Sequence, residues 1–416
     1  MIFFVIGTRP ETIKLFPVIK QAEEEGISYK LIWSGQHYDY EMSKLFFQEL
    51  DLPNPDIYLD VDPNQDILNK LSQIISSLNE LIKRERPDAI YGLGDTTTTL
   101  AAAITASYNQ IPFIHDEAGM RSFDPTMLEE INRTVVDRIA TIYFAPTKLS
   151  VLNLLNENVN SDAIYLVGST AVDALLTVIN NHELMEIGEQ KLLQEVKIDP
   201  EKNIVTITLH RRENLTREKL SIFLKLLHLA ERKLNDLLFV FPIHPHTKRK
   251  LVEHNLFDEL LSVNNVIITK PLGYLEFLVL SKNSDIIITD SGGVQVEAFM
   301  LGKKILTLRP VTEWPETIIT GHNLLVPLEK SPEEILLSLE KSLEKEPISI
   351  PLEKSPVGDG HSSKRIIKIL KNINFNYIKN IKVEYKIPLS TSAKEYVKIG
   401  DIKLNDIIIE WSDIKY

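Results

Sequence analysis

The 416-residue sequence contains no cysteine. This absence excludes disulfide bonds, thiolate metal sites and a thiol nucleophile, and it favours an intracellular, cytoplasmic protein. Long apolar runs are also missing, since none approaches the roughly 18 residues of a membrane span. The N-terminal run Ile2–Ile6 lacks the basic region and the length of a signal peptide. We therefore expect no membrane partner.

Positive charge is in deficit. The chain has 46 Lys and Arg residues against 58 Asp and Glu residues, which gives a formal net charge of −12. Such a surface repels a polyphosphate backbone, so we expect no nucleic acid partner, although a nucleotide could bind at a local site.

Short apolar runs alternate with segments of helical apolar spacing along most of the chain. The predicted strands are Ile2–Ile6, Leu31–Ser34, Ala89–Leu93, Pro112–His115, Thr141–Phe144, Ile164–Val167, Ile204–Leu209, Leu238–Phe241, Val266–Thr269, Ile286–Thr289 and Ile305–Leu308. This alternation predicts an α/β protein with two doubly wound, Rossmann-like domains facing a cleft. Ligands should then meet the loops that follow the strands.

The domain boundaries follow from turns and prolines. We expect an N-terminal domain over residues 1–168, a C-terminal domain over 169–357, and a helix at about 358–373 that returns to the first domain. Residues 374–416 predict a small β-rich appendage, because Ile381–Ile387 and Ile408–Trp411 are strand-like in a charged context.

A turn with two glycines follows a predicted strand that consists of β-branched residues. Asp290-Ser291-Gly292-Gly293 separates Ile286–Thr289 from a helical segment that contains Glu297. Free backbone N–H groups and a helix N-terminus at the end of a strand favour an anion such as a diphosphate. A tight turn without a ligand is the alternative.

Carboxylates follow two of the predicted strands: one comes after Ala89–Leu93, and two lie between Pro112–His115 and Thr141–Phe144, the second of these at the opening of a helix. Asp95 stands in Gly-Asp-Thr-Thr-Thr-Thr, Glu117 in His-Asp-Glu-Ala-Gly, and Glu129 in Leu-Glu-Glu-Ile-Asn-Arg. Carboxylates gathered at one cleft can move protons, because burial and mutual repulsion bring some of their pKa values into a useful range. Taken singly, each is better explained as a helix cap or a surface ion pair.

Cationic and aromatic residues occupy other strand-following loops. Arg9 and Lys14 follow the first strand, His210 and Arg211 follow Ile204–Leu209, and His244 follows Leu238–Phe241. The histidines lack metal-ligand spacing, so phosphate or sugar contacts are favoured over a metal site.

Two further segments of the second half could contact a nucleotide. Tyr274 and Phe277 could contact a base, or they could simply belong to the core. Arg309 opens a loop with two prolines that is stiff enough to hold a ligand.

Taken together, these motifs resemble the non-hydrolysing UDP-N-acetylglucosamine 2-epimerases. The resemblance covers about residues 1–372, and it rests on Gly-Thr-Arg-Pro-Glu, Gly-Gln-His, Gly-Asp-Thr-Thr-Thr, Glu-Ala-Gly, Glu-Glu-Ile-Asn-Arg, His-Arg-Arg-Glu-Asn, Asp-Ser-Gly-Gly-Val-Gln and Thr-Glu-x-Pro-Glu in that order. It implies the fold of the GT-B glycosyltransferases, a homodimer, and no cofactor or metal. The implied reaction inverts C2 of UDP-GlcNAc through elimination and re-addition of UDP.

The resemblance also implies roles for individual residues. The implied catalytic residues are Asp95, Glu117, Glu129 and His210. The implied UDP or substrate contacts are Arg9, Lys14, His210, Tyr274, Phe277, Ser291, Gly292, Gly293, Glu297 and Arg309. A regulatory substrate site in bacterial members would correspond to Gln36, His37, Arg211 and His244.

Three positions depart from the family pattern. Asp116 stands where an apolar residue is usual, Val296 replaces the first of two glutamates, and Trp314 replaces an arginine. We expect the last two near UDP, where they could alter substrate choice or affinity. Ser122–Asp124 is shared with relatives that act on UDP-2,3-diacetamido-2,3-dideoxyglucuronic acid, which keeps that substrate open. A GT-B glycosyltransferase and a non-catalytic UDP-sugar-binding protein are the alternatives of another class.

Overall fold

The computed structural model describes residues 1–35, 52–62, 64–196, 202–344, 346, 349–375 and 403–414. The chain forms two compact units. The first contains Met1–Ala174 together with the C-terminal part from Pro351 onward, and the second contains Leu175–Ile350.

The first unit is built on a seven-stranded parallel sheet in the order β3-β2-β1-β4-β5-β6-β7. Its strands are β1 (Ile2–Ile6), β2 (Tyr29–Trp33), β3 (Ile57–Tyr58), β4 (Ala89–Leu93), β5 (Phe113–Asp116), β6 (Ile142–Ala145) and β7 (Ile164–Leu166). Its helices are α1 (Arg9–Glu24), α2 (Ile67–Arg84), α3 (Thr97–Tyr108), α4 (Leu128–Ile139), α5 (Lys148–Asn156), α6 (Thr170–Ile179, ending in the second unit) and, after the second unit, α15 (Ser362–Asn372) and α16 (Leu404–Ile407).

The second unit contains a six-stranded parallel sheet in the order β10-β9-β8-β11-β12-β13. Its strands are β8 (Asn203–Thr208), β9 (Leu237–Pro242), β10 (Val266–Thr269), β11 (Ile286–Thr289), β12 (Lys304–Thr307) and β13 (Asn323–Leu325). Its helices are α7 (His182–Glu195), α8 (Arg217–Lys233), α9 (Pro245–Glu253), α10 (Phe257–Leu261), α11 (Tyr274–Lys282), α12 (Gly292–Met300), α13 (Pro315–Ile319) and α14 (Pro332–Glu344).

Both sheets reverse their strand order at one point. In the first sheet the reversal lies between β1 and β4, and in the second it lies between β8 and β11. These central strands are buried on both faces, which explains their near-continuous apolar sequences. Loops that leave neighbouring strands at a reversal diverge and open a crevice, which is where doubly wound sheets bind ligands.

The predicted fold class is confirmed by the two parallel, helix-covered sheets. Every predicted strand up to residue 308 is present to within a residue or two at its ends. The sequence did not reveal β3 and β13, because strands of two and three residues carry too little pattern to detect.

The helix α15 joins the first unit although the whole second unit precedes it in sequence. Its first backbone N–H groups, those of Ser362 and Ser363, donate to the buried carboxylate of Asp173 over 3.0 and 2.7 Å. Asp173 thus supplies the cap that His361, at the N-cap position, does not provide.

The C-terminal segment differs from the predicted strands. Ile381–Ile387 lies outside the described residues, and Ile408–Trp411 follows the short helix α16 without pairing to a described strand. This segment is held by side chains instead: Trp411 is buried, and its indole N–H donates to the Ser355 carbonyl over 2.9 Å. The guanidinium of Arg365 stacks on the Trp411 ring, 4.4 Å from its centre.

Of the helices in the described part of the chain, none combines the length and apolar character needed to cross a membrane.

Candidate active site

In the first unit an ion pair joins helix α1 to the loop that follows strand β5. The Lys14 ammonium contacts both oxygens of Glu117, at 2.7 and 2.8 Å. Burial lowers the pKa of Lys14, but the charge and hydrogen bonds of Glu117 outweigh burial and leave that pKa above its ordinary value. Lys14 therefore belongs to the carboxylate cluster rather than to a solvated helix surface.

The backbone at Glu117 is left-handed, with φ of 65°, which is rare for a residue with a side chain. Gly94, at the end of β4, also has a positive φ of 72°, and a Cβ there would lie 3.1 Å from Oε2 of Glu117. The Glu117 carboxylate thus lies against the backbone that leads to Asp95. A non-glycine residue with positive φ often marks a functional position.

Asp95 is paired with Arg133 of α4, and the Asn132 amide donates to the Asp95 carbonyl over 2.8 Å. Arg133 also contacts Glu130 at 3.0 Å. The Asp95 side chain remains partly exposed, at 28%, and its charge acts on Lys14. A carboxylate that is anchored yet accessible is suited to proton transfer.

The two glutamates at the start of α4 have different environments. Glu130 is buried and accepts the backbone N–H groups of Ser122 and Phe123 over 2.9 and 3.0 Å. Glu129 is only partly buried. Of the two, Glu129 is therefore the more exposed, and its catalytic role stays a prediction.

Three of the four consecutive threonines, Thr96, Thr98 and Thr99, have side-chain hydrogen-bond partners. Thr96 caps α3 by accepting the Thr99 N–H, and its hydroxyl donates to Glu11 over 2.7 Å. The Thr99 hydroxyl donates to the Leu93 carbonyl over 2.7 Å. Glu11 is buried, and this burial raises its pKa despite four hydrogen bonds, among them the one from the Gly7 N–H. The loops after β1 and β4 are thereby tied together.

A second buried ion pair fixes the loop after β5. His115 places Nδ1 2.6 Å from Asp137 and Nε2 2.9 Å from the Gly94 carbonyl. A carbonyl can only accept, so Nε2 carries a proton, and a carboxylate then makes Nδ1 a donor as well. Burial lowers the pKa of His115, but Asp137 outweighs burial and raises it, so the ring is held as an imidazolium.

Asp137 also accepts the Gly119 N–H over 2.9 Å and Arg121 over 2.7 Å. Gly119 is required by packing as well as by its φ of 80°, because a Cβ there would lie 2.2 Å from the Ser150 carbonyl oxygen. Asp137 therefore holds the polypeptide on both sides of Glu117.

In the second unit the corresponding centre is Asp290, which follows β11 and is fully buried. Its carboxylate accepts the backbone N–H groups of His210 and Arg211 over 3.1 and 2.9 Å, and the Asn214 amide over 3.2 Å. The His210 ring lies 3.3 Å from the same carboxylate and is 39% exposed. Asp290 thus fixes the loop after β8 and presents the His210 ring to solvent.

The two glycines of the turn have different structural requirements. A Cβ on Gly292 would lie 1.9 Å from Oε1 of Glu313, so this glycine is needed for internal packing. A Cβ on Gly293 would meet no atom of the described residues within 4 Å. Only Gly293 therefore borders open space, whereas the sequence alone treated both glycines as positions of ligand approach. Ser291 stands at the N-cap of α12 and uses no side-chain cap bond.

Glu313 links Arg309 to the glycine turn. Its carboxylate lies 2.9 Å from Arg309 and 3.7 Å from Arg211, and both Glu313 and Arg309 are buried. The two departures expected near UDP are buried too, since Val296 and Trp314 are 1% and 2% exposed. Any effect of these two residues on a ligand must therefore pass through the packing of the second unit.

Three of the other predicted residues lie at the start of a helix. Arg9 and Tyr274 are the first residues of α1 and α11, and His244 is the N-cap of α9, where it accepts the His246 N–H over 3.1 Å. Tyr274 is buried, whereas Phe277 and Glu297 are partly exposed. The predicted regulatory residues Gln36 and His37 lie outside the described residues.

Sequence reasoning missed Asp137 and Glu11 as site-forming residues. Asp137 lies one helical turn after Arg133 and two turns after Glu130, so three charged residues share one face of α4. That pattern was a usable signal, because a face of charges that is buried must hold partners. Glu11 gave no such signal, since a glutamate in a first helical turn is ordinary.

No group of three or more metal-ligating side chains occurs within the described ranges, which leave out residues 36–51 and 376–402 among others.

The fold is shared with a known glycosyltransferase. WaaG, a glycosyltransferase involved in lipopolysaccharide biosynthesis, is similar in structure with a TM-score of 0.53 at 11% identity, and 91% of this chain and 97% of WaaG are covered. At that identity the likeness shows a shared fold alone, the fold with two Rossmann-like units.

The family is shown by closer comparisons. The sequence profile of UDP-N-acetylglucosamine 2-epimerase matches residues 20–371. A UDP-N-acetylglucosamine 2-epimerase of Methanocaldococcus jannaschii is 40% identical over 88% of this chain and 97% of its own length. The protein belongs to the UDP-N-acetylglucosamine 2-epimerase family.

Two structural and sequence comparisons add detail. The crystal structure of the M. jannaschii enzyme in complex with UDP-GlcNAc and UDP has a TM-score of 0.79 to this structure, over 89% of this chain and 99% of that one. A UDP-2,3-diacetamido-2,3-dideoxy-D-glucuronate 2-epimerase of Pseudomonas aeruginosa is 34% identical over 89% of this chain and 99% of its own length.

Proposed function

We propose that this protein is an isomerase that interconverts UDP-GlcNAc and UDP-ManNAc. The observation that carries the proposal is the carboxylate cluster at the strand reversal of the first unit, where Glu117 is paired with Lys14 and lies against the loop that carries Asp95. A protein that only binds a UDP-sugar has no need of several carboxylates at one crevice.

The reaction needs a base and a held leaving group. One carboxylate removes the C2 proton, the C1–O bond to UDP breaks, and a C1=C2 double bond forms in a 2-acetamidoglucal. UDP adds back to C1 after C2 receives a proton on the opposite face. Because a C2 proton is weakly acidic, stabilisation of the departing diphosphate must share the barrier. The sequence of steps is the one that the family resemblance implies.

The proposal divides these tasks between the two units. Asp95, Glu117 and Glu129 of the first unit are assigned to proton transfer. In the second unit, His210, Ser291 and Gly293 are assigned to the diphosphate, with Glu297 on the ribose. Support comes from Asp95, which follows β4 at the first strand reversal, from His210 and Ser291, which follow β8 and β11 at the second, and from the space beside Gly293 that no described atom fills.

The substrate contacts assigned to Arg9, Tyr274, Phe277, Gly292 and Arg309 belong to the same proposal. Gly292 and Arg309 are both engaged with Glu313, so we assign them a supporting role beneath the diphosphate. The regulatory assignment of Arg211 and His244 stays a prediction; their neighbour His210 has its ring centre 5.9 Å from that of His244.

Incubation with UDP-GlcNAc in D2O tests the function. We expect UDP-ManNAc to appear with deuterium at C2, because the proton that returns to C2 comes from solvent. NMR of the sugar measures both changes in one sample. Absence of product and of exchange would refute the proposal, whereas transfer of the sugar to an acceptor would favour a glycosyltransferase.

A second candidate substrate is UDP-2,3-diacetamido-2,3-dideoxyglucuronic acid. It is favoured by the P. aeruginosa relative and by the segment Ser122–Asp124, which the sequence shares with relatives that act on this sugar. The same NMR assay with this sugar decides between the two, since the true substrate gives the higher kcat/KM.

We also propose that the protein is a cytoplasmic homodimer. An apolar stripe on α4 supports self-association: Leu128, Ile131 and Val135 stand at helical spacing and are 42%, 48% and 39% exposed. Light scattering should give a mass of about twice 47.5 kDa for the wild type and about 47.5 kDa for Ile131→Lys. A monomeric wild type would refute the proposed dimer. A variant that is still dimeric would show that this face of α4 is not the interface.

A further inference from the structure

One buried titratable group of the first unit has no part in the proposed reaction. Asp116 is the last residue of β5, directly before Glu117, and its side chain is 1% exposed. A buried carboxyl beside a candidate catalytic carboxylate is unfavourable unless its surroundings hold it. Its hydrogen bonds therefore indicate what it does.

The two oxygens of Asp116 accept from different elements. Oδ1 accepts the backbone N–H of Glu117 over 2.9 Å. Oδ2 accepts the Tyr91 hydroxyl of β4 over 2.7 Å and lies 3.4 Å from the Thr170 hydroxyl of α6. Glu117, which donates the first of these hydrogen bonds, has a φ of 65°. Asp116 therefore stabilises the left-handed backbone that directs Glu117 toward Lys14.

We propose that Asp116 is a positioning residue: it holds the backbone of the catalytic Glu117 in its left-handed conformation and places a second carboxylate beside it, so that turnover depends on whether Asp116 is charged. This inference deepens the proposed function and rests on it. An ionised Asp116 favours proton transfer to Glu117, because a proton there relieves the repulsion between the adjacent carboxylates.

The groups around Asp116 determine the pH at which its carboxyl ionises. Burial raises the pKa of Asp116 to about 7, with Glu117 adding to the rise and with Tyr91, the Glu117 N–H and His115 opposing it. The charge of Asp116 also acts on Lys14 of α1. Burial raises the pKa of Tyr91 far above its usual range, with Asp116, Glu117 and Asp173 adding to the rise, so Tyr91 stays a donor.

Substitutions separate position from charge. Asp116→Asn keeps an oxygen that can accept the Glu117 N–H but carries no charge, and Asp116→Val removes both. Tyr91→Phe keeps the Asp116 charge but removes a hydrogen bond that favours it. Each variant thus alters a different part of the proposal.

The main measurement is kcat at saturating UDP-GlcNAc between pH 5.5 and 9. We expect wild-type kcat to fall about tenfold on the acid side, through an ionisation near 7. In Asp116→Asn the step should be absent, with kcat close to the lower level throughout and KM changed less than about twofold. Tyr91→Phe should move the step about one pH unit higher.

A step near 7 that persists in Asp116→Asn would overturn the inference, and so would a flat wild-type profile. Asp116→Val should fall below Asp116→Asn, because it also loses the bond to Glu117; equal values would overturn the conformational part. If the wild type forms no UDP-ManNAc at any pH, the proposed function fails, which is a different result.

Thermal unfolding provides a readout that needs no activity. The raised pKa of Asp116 means that ionisation opposes folding, and this loss grows as pH rises from about 4 to about 7. The melting temperature of Asp116→Asn relative to wild type should therefore increase between pH 5 and pH 8. A difference that is constant with pH would show that Asp116 does not titrate in this range.

Discussion

Replacing Glu117 by Gln should lower kcat by about 10³-fold, within the 10²- to 10⁴-fold contribution of a positioned proton-transfer group. Gln has the size of Glu but cannot accept the C2 proton, and the left-handed backbone fixed by Asp116 is retained. UDP should still bind with a Kd within about threefold of wild type, because the proposed diphosphate contacts lie in the second unit. Loss of C2 deuterium exchange is the decisive measurement.

The substitution also leaves the Lys14 ammonium without its carboxylate, which costs about 1–3 kcal/mol of stability. Glu157→Gln is the matched control, because Glu157 pairs with the buried Arg121 of the same unit at 2.7 Å and has no proposed part in the reaction. If the two variants have comparable melting temperatures and Glu157→Gln has normal turnover, the loss of turnover in Glu117→Gln reflects the chemical step and not lost stability. Normal exchange in Glu117→Gln would remove Glu117 from the mechanism.

The parts of the fold that sequence predicts are those with a repeated local pattern. Ile286–Ile288 reads as a buried strand because three β-branched residues precede a turn that cannot extend them, and the structure has β11 at that place. The tail shows the opposite case. Ile408–Trp411 has strand-like composition, but Trp411 is held by Ser355 and Arg365, which lie far away in sequence. Propensity was overridden by tertiary contacts.

The candidate site shows the same limit. Glu117 could be recognised because its motif is local, whereas the role of Asp137 depends on His115 and Arg121, which are 22 and 16 residues away. Likewise, Gly292 and Gly293 are indistinguishable in sequence. Only the position of Glu313 shows that Gly292 serves packing while Gly293 faces open space.

Replacing Asp290 by Asn should raise the Kd for UDP by about 100-fold while the protein still folds. The Asp290 carboxylate accepts the backbone N–H groups of both His210 and Arg211. In Asn one of the two oxygens is replaced by an NH2 group, which cannot accept a hydrogen bond from either N–H. The loop after β8 would lose its geometry, and with it the placement of the His210 ring beside the glycine turn. Titration calorimetry with UDP measures the change.

Asp285→Asn is a matched control at the other end of the same strand pair. The Asp285 carboxylate accepts the Ile204 N–H over 2.8 Å, so it ties the start of β11 to the start of β8 as Asp290 ties their ends. Each substitution should cost about 1–3 kcal/mol of stability, but Asp285→Asn should leave the Kd for UDP unchanged. Equal losses of affinity in both variants would mean that general loosening of the sheet, and not the Asp290 loop, limits UDP binding. A loss confined to Asp290→Asn would tie the diphosphate to the carboxyl ends of β8 and β11, because only that end of the strand pair is altered.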